Sequence, residues 1–270
     1  MLALVVSVDT ADVELASDVL WSLGVVAIEE RSQGGGVELW TSVGDDVEST
    51  SAVLSARLAR WQWRYVVVDE SVADNWRIHA RPVRVDADLV ICPAWVPFGH
   101  EPGTTVLRIE PGSTFGLGDH PTTILSMRAV RAAVHAGSTV LDVGCGSGVL
   151  AVGACLFGAA SATAIDISPA SVAVTEANAS VNGVGERVHV SNTPLADVAG
   201  RFDVVVANIL APTLIELADD LRRVMTTAGT LIVSGVLAEH HLHVEEALHP
   251  LRRVDRTTMD GWAALTLSDR

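Results

Sequence analysis

The sequence predicts an α/β protein: a mostly parallel sheet covered on both faces by helices, preceded by a small α+β unit of the ferredoxin-like type. Three observations predict it. From Ser138 onward, short apolar segments alternate with helical ones, the pattern of a parallel sheet buried on both faces. Residues 1–69 read β-α-β-β-α-β, the split βαβ order. The apolar segment Val140–Val143 runs straight into a glycine turn that opens a helix.

In the first unit, Leu2–Val8 alternates like a strand. Asp12–Leu23 carries Val13, Ala16, Val19, Leu20 and Leu23 at helical spacing, with Gly24 placed to end it. Val25–Glu30 is a second strand, and Gly34-Gly35-Gly36 turns into Val37–Thr41. Val47–Arg60 is a second helix and Trp61–Val68 a last strand. Residues 70–110 form a linker with connecting strands. Asp74-Asn75-Trp76-Arg77 opens it, and Val83–Cys92 and Thr104–Ile109 flank a loop rich in Pro and Gly. Residues 111–270 form the third segment. Its first helix covers Thr122–His135, and its strands are Val140–Val143, Ala162–Ile167, Val188–Ser191, Phe202–Asn208 and Gly229–Ser234. Helices Gly148–Phe157, Pro169–Asn182, Pro212–Thr226 and Leu237–His249 lie around them, and Arg252–Asp255 with Trp262–Leu267 closes the chain as a β-pair.

Composition narrows the function classes. The 270 residues carry 18 basic side chains, all Arg, against 33 acidic ones, a net charge of −15. Such a balance disfavours binding of nucleic acid, which needs a basic face; it suits a basic partner or plain solubility. Residues 1–69 hold 4 Arg and 11 acidic side chains, so the first quarter of the chain carries nearly half the net charge. No apolar run reaches the roughly 20 residues of a membrane span. Met1–Val6 lacks a basic start and meets Asp9 and Asp12 at once, which reads as a strand and not a signal peptide. Cys92, Cys145 and Cys155 make no disulfide framework. The expectation is a cytoplasmic protein that touches neither membrane nor nucleic acid.

The chemistry-bearing residues gather after the strands. Asp142 to Gly148 follows a strand and opens a helix, where glycines let the backbone approach a ligand. A dinucleotide fingerprint, G-x-G-x-x-G, needs glycine at position 149, which is Val149. A nucleophile elbow around Ser147 fails at Cys145 and Val149. G-x-G-x-G after Asp142 is the form that binds S-adenosylmethionine. Asp166, ending the next strand, is placed to accept the ribose hydroxyls of a nucleoside; the alternative is a helix cap ahead of Pro169. Asn208 ends the fourth strand at the ligand-binding edge of the sheet. It is placed to accept a hydrogen bond from an amine, or else to cap the next helix. The N-P-P-aromatic pattern of enzymes acting on planar nitrogens is missing after Asn208, which points to an alkyl amine. His240, His241 and His243 read as an exposed helix start and not a metal site, since no further ligands converge. Cys145 reads as merely small, and His135 as sitting near a helix C-terminus.

Ordered matches along the whole chain then resemble the PrmA family, which methylates ribosomal protein L-eleven of the large subunit. Glu110-Pro111-Gly112-x-x-Phe115-Gly116-x-Gly118-x-His120-Pro121-Thr122-Thr123 is similar to the family signature D/E-P-G-x-A-F-G-T-G-x-H-x-T-T. Ile91–Trp95, Asp142–Leu150, Asp166, Asn182–Val184, Val206–Ala211 and Ser234–Leu237 match too. The resemblance implies a class I methyltransferase with a Rossmann-like seven-stranded sheet at 111–270. It makes 1–69 a substrate-recognition domain, S-adenosylmethionine the cofactor, and a basic ribosomal protein the substrate, modified at lysine or N-terminal amines. It maps Thr123, Gly144, Asp166 and Asn208 onto cofactor positions. Phe115, Gly116, Asp142, Gly146, Gly148 and Ile167 complete the expected cofactor set, with Asn208 also the catalytic residue and no metal. Phe115 and Trp262 are candidates to wall the pocket. Gly116-Leu117-Gly118 replaces the family's G-T-G, Thr114 stands for its Ala, and Asp119 and a shorter linker around Trp76 are further departures. A methyltransferase of the same fold acting on another protein or on a small amine is the alternative.

Overall fold

In a computed structural model of the chain, residues 2–23, 25, 28–33, 36–41, 51, 54–67, 77, 80–99, 101–112, 114 and 116–269 are described. The chain divides into two compact units, Met1–Ala80 and Arg81–Arg270.

The first unit is a four-stranded antiparallel sheet of β1 (Leu2–Val8), β2 (Glu29–Gln33), β3 (Gly36–Thr41) and β4 (Gln62–Val67), with α1 (Val13–Ser22) between β1 and β2. The strand order is β2-β3-β1-β4, the ferredoxin-like arrangement in which the first strand lies beside the third and fourth. Alternation on β1 explains the core. Leu4, Val6 and Val8 point to one face and bury against Leu39, Ala16, Leu20, Leu54 and Leu58. The expected strand Val25–Glu30 starts only at Glu29 and runs on to Gln33. Val25 and Ile28 are drawn into the core instead, and the ladder with β3 sets the register at Glu29↔Trp40. Of the expected helix Val47–Arg60, Ser51 and residues 54–57 are helical; residues 47–50, 52 and 53 lie outside the described residues, as do residues 70–76 of the linker.

The second unit opens with a three-stranded sheet in the order β5-β6-β7: Val83–Asp86, Leu89–Pro93 and Thr105–Ile109. Val83–Cys92, expected as one strand, folds as two antiparallel strands around Ala87 and Asp88. One side chain distant in sequence and one close by grip that turn. Arg131 holds both oxygens of Asp88 at 2.7 and 2.6 Å, and Arg84 donates to the Ala87 carbonyl at 2.9 Å.

The large sheet follows, with α2 (Pro121–Ala133), β8 (Thr139–Val143), α3 (Val149–Leu156), β9 (Ser161–Ile165), α4 (Pro169–Val181), β10 (Val188–Ser191) and β11 (Phe202–Asn208). Then come α5 (Ala211–Glu216), α6 (Ala218–Arg223), β12 (Met225–Leu237), α7 (Leu242–Ala247), β13 (Arg252–Met259) and β14 (Trp262–Ser268). Seven strands lie in the order β10-β9-β8-β11-β12-β14-β13. The first five pair in parallel, and β14 is antiparallel to both its neighbours. Alternate residues bury on opposite faces. Val140, Val204, Val206 and Ile232 join one core with Met127 and Leu150; Leu141, Val205, Ala207 and Leu231 join the other with Leu214 and Leu221. This two-sided burial is why the strands read as near-continuous apolar runs.

The C-terminal third departs most from expectation. Pro212–Thr226 is two short helices broken at Leu217, whose backbone (φ −88°, ψ 3°) leaves the helix. β12 is far longer than Gly229–Ser234 because β14 pairs along it from Thr230↔Ser268 to Leu237↔Trp262. That pairing claims Leu237, so the last helix spans only Leu242–Ala247. Among the described residues no helix is long and apolar enough to cross a membrane.

Candidate active site

The sheet order reverses between β8 and β11. Neighbouring crossovers leave that point in opposite directions, opening a crevice at the carboxyl ends of the strands. The turn after β8, the residue after β9 and the last residue of β11 all lie on this edge.

The turn after β8 is tied down on three sides. Gly144 and Cys145 both donate to the Ile165 carbonyl, at 2.8 and 3.1 Å. Gly146 donates to Asp166 Oδ2 at 2.8 Å. Ser147 donates from its hydroxyl to the Gly116 carbonyl at 2.7 Å, so it is a strut and no nucleophile. Gly144 has φ +73°, and a Cβ there would sit 2.4 Å from Cγ2 of Ile209. A Cβ on Gly235 would sit 2.3 Å from the Ile209 carbonyl oxygen. Glycine on both sides therefore lets the Asn208–Leu210 turn lie flat against the edge.

Asp142 ends almost at the centre of the unit. Its Oδ2 accepts from the Ala151 amide at 3.0 Å, in the first turn of α3, while Oδ1 has no hydrogen-bond partner among the described residues. Burial raises its pKa to about 7, and the nearby Asp166 carboxylate adds to the rise. Burial likewise pushes the Cys145 thiol up; its Sγ lies 3.6 Å from Thr175 Oγ1. That thiol is no nucleophile.

Asp166 follows β9 directly. Besides Gly146 it holds the Ser168 amide through Oδ1 at 2.8 Å, and its own carbonyl accepts from Asn192 Nδ2 at 2.8 Å. Its hydrogen bond to Gly146 goes beyond the helix-cap alternative. A carboxylate accepts about four hydrogen bonds, so each oxygen keeps a lone pair for a ligand. Ile167 beside it is 97% exposed. Asn208 is half-buried, and its side chain makes no hydrogen bond to a described residue. The cap residue of α5 is Leu210, without a side-chain cap, so Asn208 does not cap that helix. Thr123, in the first turn of α2, is buried with its Oγ1 unpartnered among the described residues. His120 caps α2 by accepting at Nδ1 from the Thr122 amide, 3.3 Å away. Burial lowers its pKa, and its ring meets Trp262 edge-on at 5.2 Å.

Gly144, Gly146, Gly148, Asp142, Asp166, Ile167 and Asn208 thus lie at or just beneath one edge of the sheet, and Gly116 is bonded to it through Ser147. Phe115 lies outside the described residues. Among the described residues no group of His, Cys, Asp and Glu could hold a metal ion. Of the three histidines, His240 and His243 are exposed, but His241 is buried, contrary to expectation. Its Nδ1 lies 2.8 Å from the Ala238 carbonyl and its Nε2 3.2 Å from Arg253. Residue patterns also missed the bracing roles of Asn178, on α4, and of Asn182, its C-cap. Asn178 holds the backbone of Glu110 and Ser147, and Asn182 that of Arg108. The pattern alone gave little signal: Asn178 is the single asparagine within α4, and Asn182 is its C-cap.

The edge fits a nucleoside-bearing methyl donor on its own chemistry. It offers a glycine cradle, a carboxylate with free lone pairs beside an exposed apolar side chain, and buried Thr123 and Asp142 oxygens without partners.

Comparison with known proteins places these features in context. The sequence profile of the family described as "Ribosomal protein L11 methyltransferase (PrmA)" matches residues 41–270. The chain is 42% identical over 207 residues to the "Ribosomal protein L11 methyltransferase" of Geobacter sp. (strain M21), covering 74% of this chain and 68% of that one. It is 37% identical over 214 residues to the protein of the same name from Streptococcus agalactiae serotype V, covering 75% and 68%. A crystal structure described as ribosomal protein L11 methylase from Lactobacillus delbrueckii subsp. bulgaricus superposes with a TM-score of 0.66 at 34% identity, over 70% of this chain and 98% of that one.

Proposed function

Since the chain belongs to the ribosomal protein L11 methyltransferase (PrmA) family, we propose that it methylates amine nitrogens of a large-subunit ribosomal protein, on lysine side chains, at the N-terminus, or both. The methyl donor is S-adenosylmethionine, and the setting is the cytoplasm. When bound, this donor supplies an electrophilic methyl group on a cationic sulfur.

The residues present divide the work of binding and reaction. Asp166 takes the ribose hydroxyls on its remaining lone pairs, Ile167 lies against the base, and the Gly144–Gly148 backbone leaves room for the rest of the molecule. Gly116, Thr123 and Asp142 bound the cradle from the side and from below. Asn208 meets the acceptor. Its carboxamide oxygen has no partner to give up, so it is free to accept an N–H and aim the nitrogen lone pair. A lysine amine titrates near 10.4 in water, and the nucleophile is its neutral form. Desolvation at a crevice walled by Trp262 disfavours the ammonium.

Residues 1–69 form the substrate-recognition domain in this reading. Within the first compact unit, residues 1–80, 5 Arg stand against 13 acidic side chains, which favours a basic protein and opposes direct contact with nucleic acid.

Asp166 carries the proposal, because its two oxygens join the glycine turn to the start of α4 and still have capacity for a diol. Calorimetry with S-adenosylmethionine tests it. Asp166→Ala loses about a hundredfold in affinity, the worth of two hydrogen bonds to a charged acceptor. An unchanged dissociation constant would refute the site.

A further inference from the structure

Three segments remote in sequence close into one hydrogen-bonded ring that includes the glycine turn. Glu110, just beyond β7, is held twice by Asn178: its amide donates to Oδ1 and its carbonyl accepts from Nδ2, both at 2.9 Å. The same Nδ2 donates to the Ser147 carbonyl at 2.9 Å. Ser147 in turn donates from Oγ to the Gly116 carbonyl at 2.7 Å. The chain from Glu110 to Gly116 completes the ring. Asn178, Ser147 and Gly116 are all buried. A second rung braces the first: Asn182 pairs with both backbone groups of Arg108, at 2.9 and 2.7 Å, and donates to the Asn178 carbonyl at 2.8 Å.

We propose that Asn178 and Ser147 are positioning residues, which fix segment 110–116 against the glycine turn so that the donor-binding edge stands ready before the donor arrives. The inference rests on the reading of that edge as the donor site. The physical argument is one of preorganisation. The described residues of segment 110–116 belong to no strand or helix, and Gly112 and Gly116 (φ +56° and +106°) lower its intrinsic stiffness. Left free, it would have to be ordered at the moment of binding, at a cost in affinity. Asn178 uses both ends of one carboxamide to fix where the segment begins, and Ser147 fixes where it ends. Both bonds reach backbone atoms, so segment position is governed without contact from either side chain to the donor.

The experiment uses the full chain, with S-adenosylhomocysteine as the probe, read by calorimetry and by hydrogen-exchange mass spectrometry. Asn178→Ala removes three hydrogen bonds to backbone, two at Glu110 and one at Ser147, and weakens binding by about tenfold or more. Ser147→Ala leaves one buried carbonyl unpaired and weakens it by roughly threefold to tenfold. In both variants exchange accelerates across residues 110–120, while β8 and α3 keep the protection of the wild type. That localisation separates positioning from general loosening. Should Asn178→Ala fail to fold, Ser147→Ala decides by the same two readings. Unchanged affinity in a folded variant overturns the inference, and so does weakened binding with exchange raised equally over β8 and α3. A wild type that does not bind the probe overturns the donor site and this inference together; a wild type that binds, with variants that bind equally well, overturns this inference alone.

Discussion

The two units bury their polar side chains in different places. In the first, residues 1–80, the prominent charged contacts lie on the sheet face away from the apolar core. Glu38 takes Arg64 at 2.8 Å and the Trp40 indole at 3.0 Å, and Arg31 lies over the Trp40 ring at 4.0 Å. The Arg64 guanidinium holds the Glu38 carboxyl below its usual range. In the second unit, polar groups are buried at one edge of the sheet and bonded mainly to backbone: Asp142 to Ala151, Ser147 to Gly116, Asn178 to Glu110 and Ser147. Glu38 is itself buried while Arg64 is about half exposed, and a half-exposed pair confers little stability. Buried polar groups are costly unless satisfied, so their concentration at one edge marks where the fold accepts that cost for a ligand. Under the proposed function, recognition and chemistry are housed separately, one on the acidic first unit and the other at the edge of the large sheet.

Removing residues 1–69 breaks this comparison most severely. The second unit has its own cores, so the truncated chain keeps its affinity for S-adenosylhomocysteine within about twofold by calorimetry, while methylation of the protein substrate falls below detection. Full activity of the truncated chain on that substrate would show that the acidic unit does not recognise it. Asn208→Ala has the next largest effect. Turnover falls by about a hundredfold, the usual loss of one well-aimed polar contact in a reaction, while donor affinity, which Asn208 also serves, falls by less than turnover does. Steady-state kinetics beside calorimetry separate the two, and a loss confined to donor affinity would remove Asn208 from the acceptor side.

Asp142→Asn has the smallest effect and sharpens the account of buried polar groups. Asp142 has a folded-state pKa of about 7, above the 3.8 of a free carboxyl. The folded state therefore holds a proton that the unfolded state has released. Its contribution to stability is greatest below about pH 4, declines as pH rises to about 7, and is constant beyond. Asn keeps a neutral acceptor for the Ala151 amide and cannot ionise. Melting temperatures of variant and wild type accordingly converge near pH 4 and separate by about 5 °C or more at pH 8 in favour of Asn. Parallel curves would show that Asp142 is ionised throughout.

Local periodicity made most of the fold legible. The β-α-β-β-α-β order, the parallel strands and the glycine turn all follow from spacing and from apolar runs buried on two faces. What escaped was set by partners far away in sequence. The turn at Ala87 and Asp88 is held by Arg131, the length of β12 by β14, and the break at Leu217 by no local signal that we identify. The placement of Gly144, Asp166 and Asn208 together at one sheet edge was also legible, because each follows or ends an apolar strand. Asn178 was not, since a single asparagine in an Ala- and Val-rich helix declares its backbone partners only once Glu110 and Ser147 are brought to it. The burial of His241 escaped for the same reason: Arg253 and Arg256 come from β13, beyond any helical pattern.

The central claim is that donor bound at the β8–β11 edge is spent on amines of a basic ribosomal protein. Intact-mass and peptide mass spectrometry of the source organism's ribosomal protein L11, incubated with the full chain and S-adenosylmethionine, tests it most directly. The account predicts mass gains in whole methyl units, located on lysine side chains or the N-terminal amine and strongly reduced with Asn208→Ala. An unmodified ribosomal protein, from a preparation that binds the donor tightly, would contradict it.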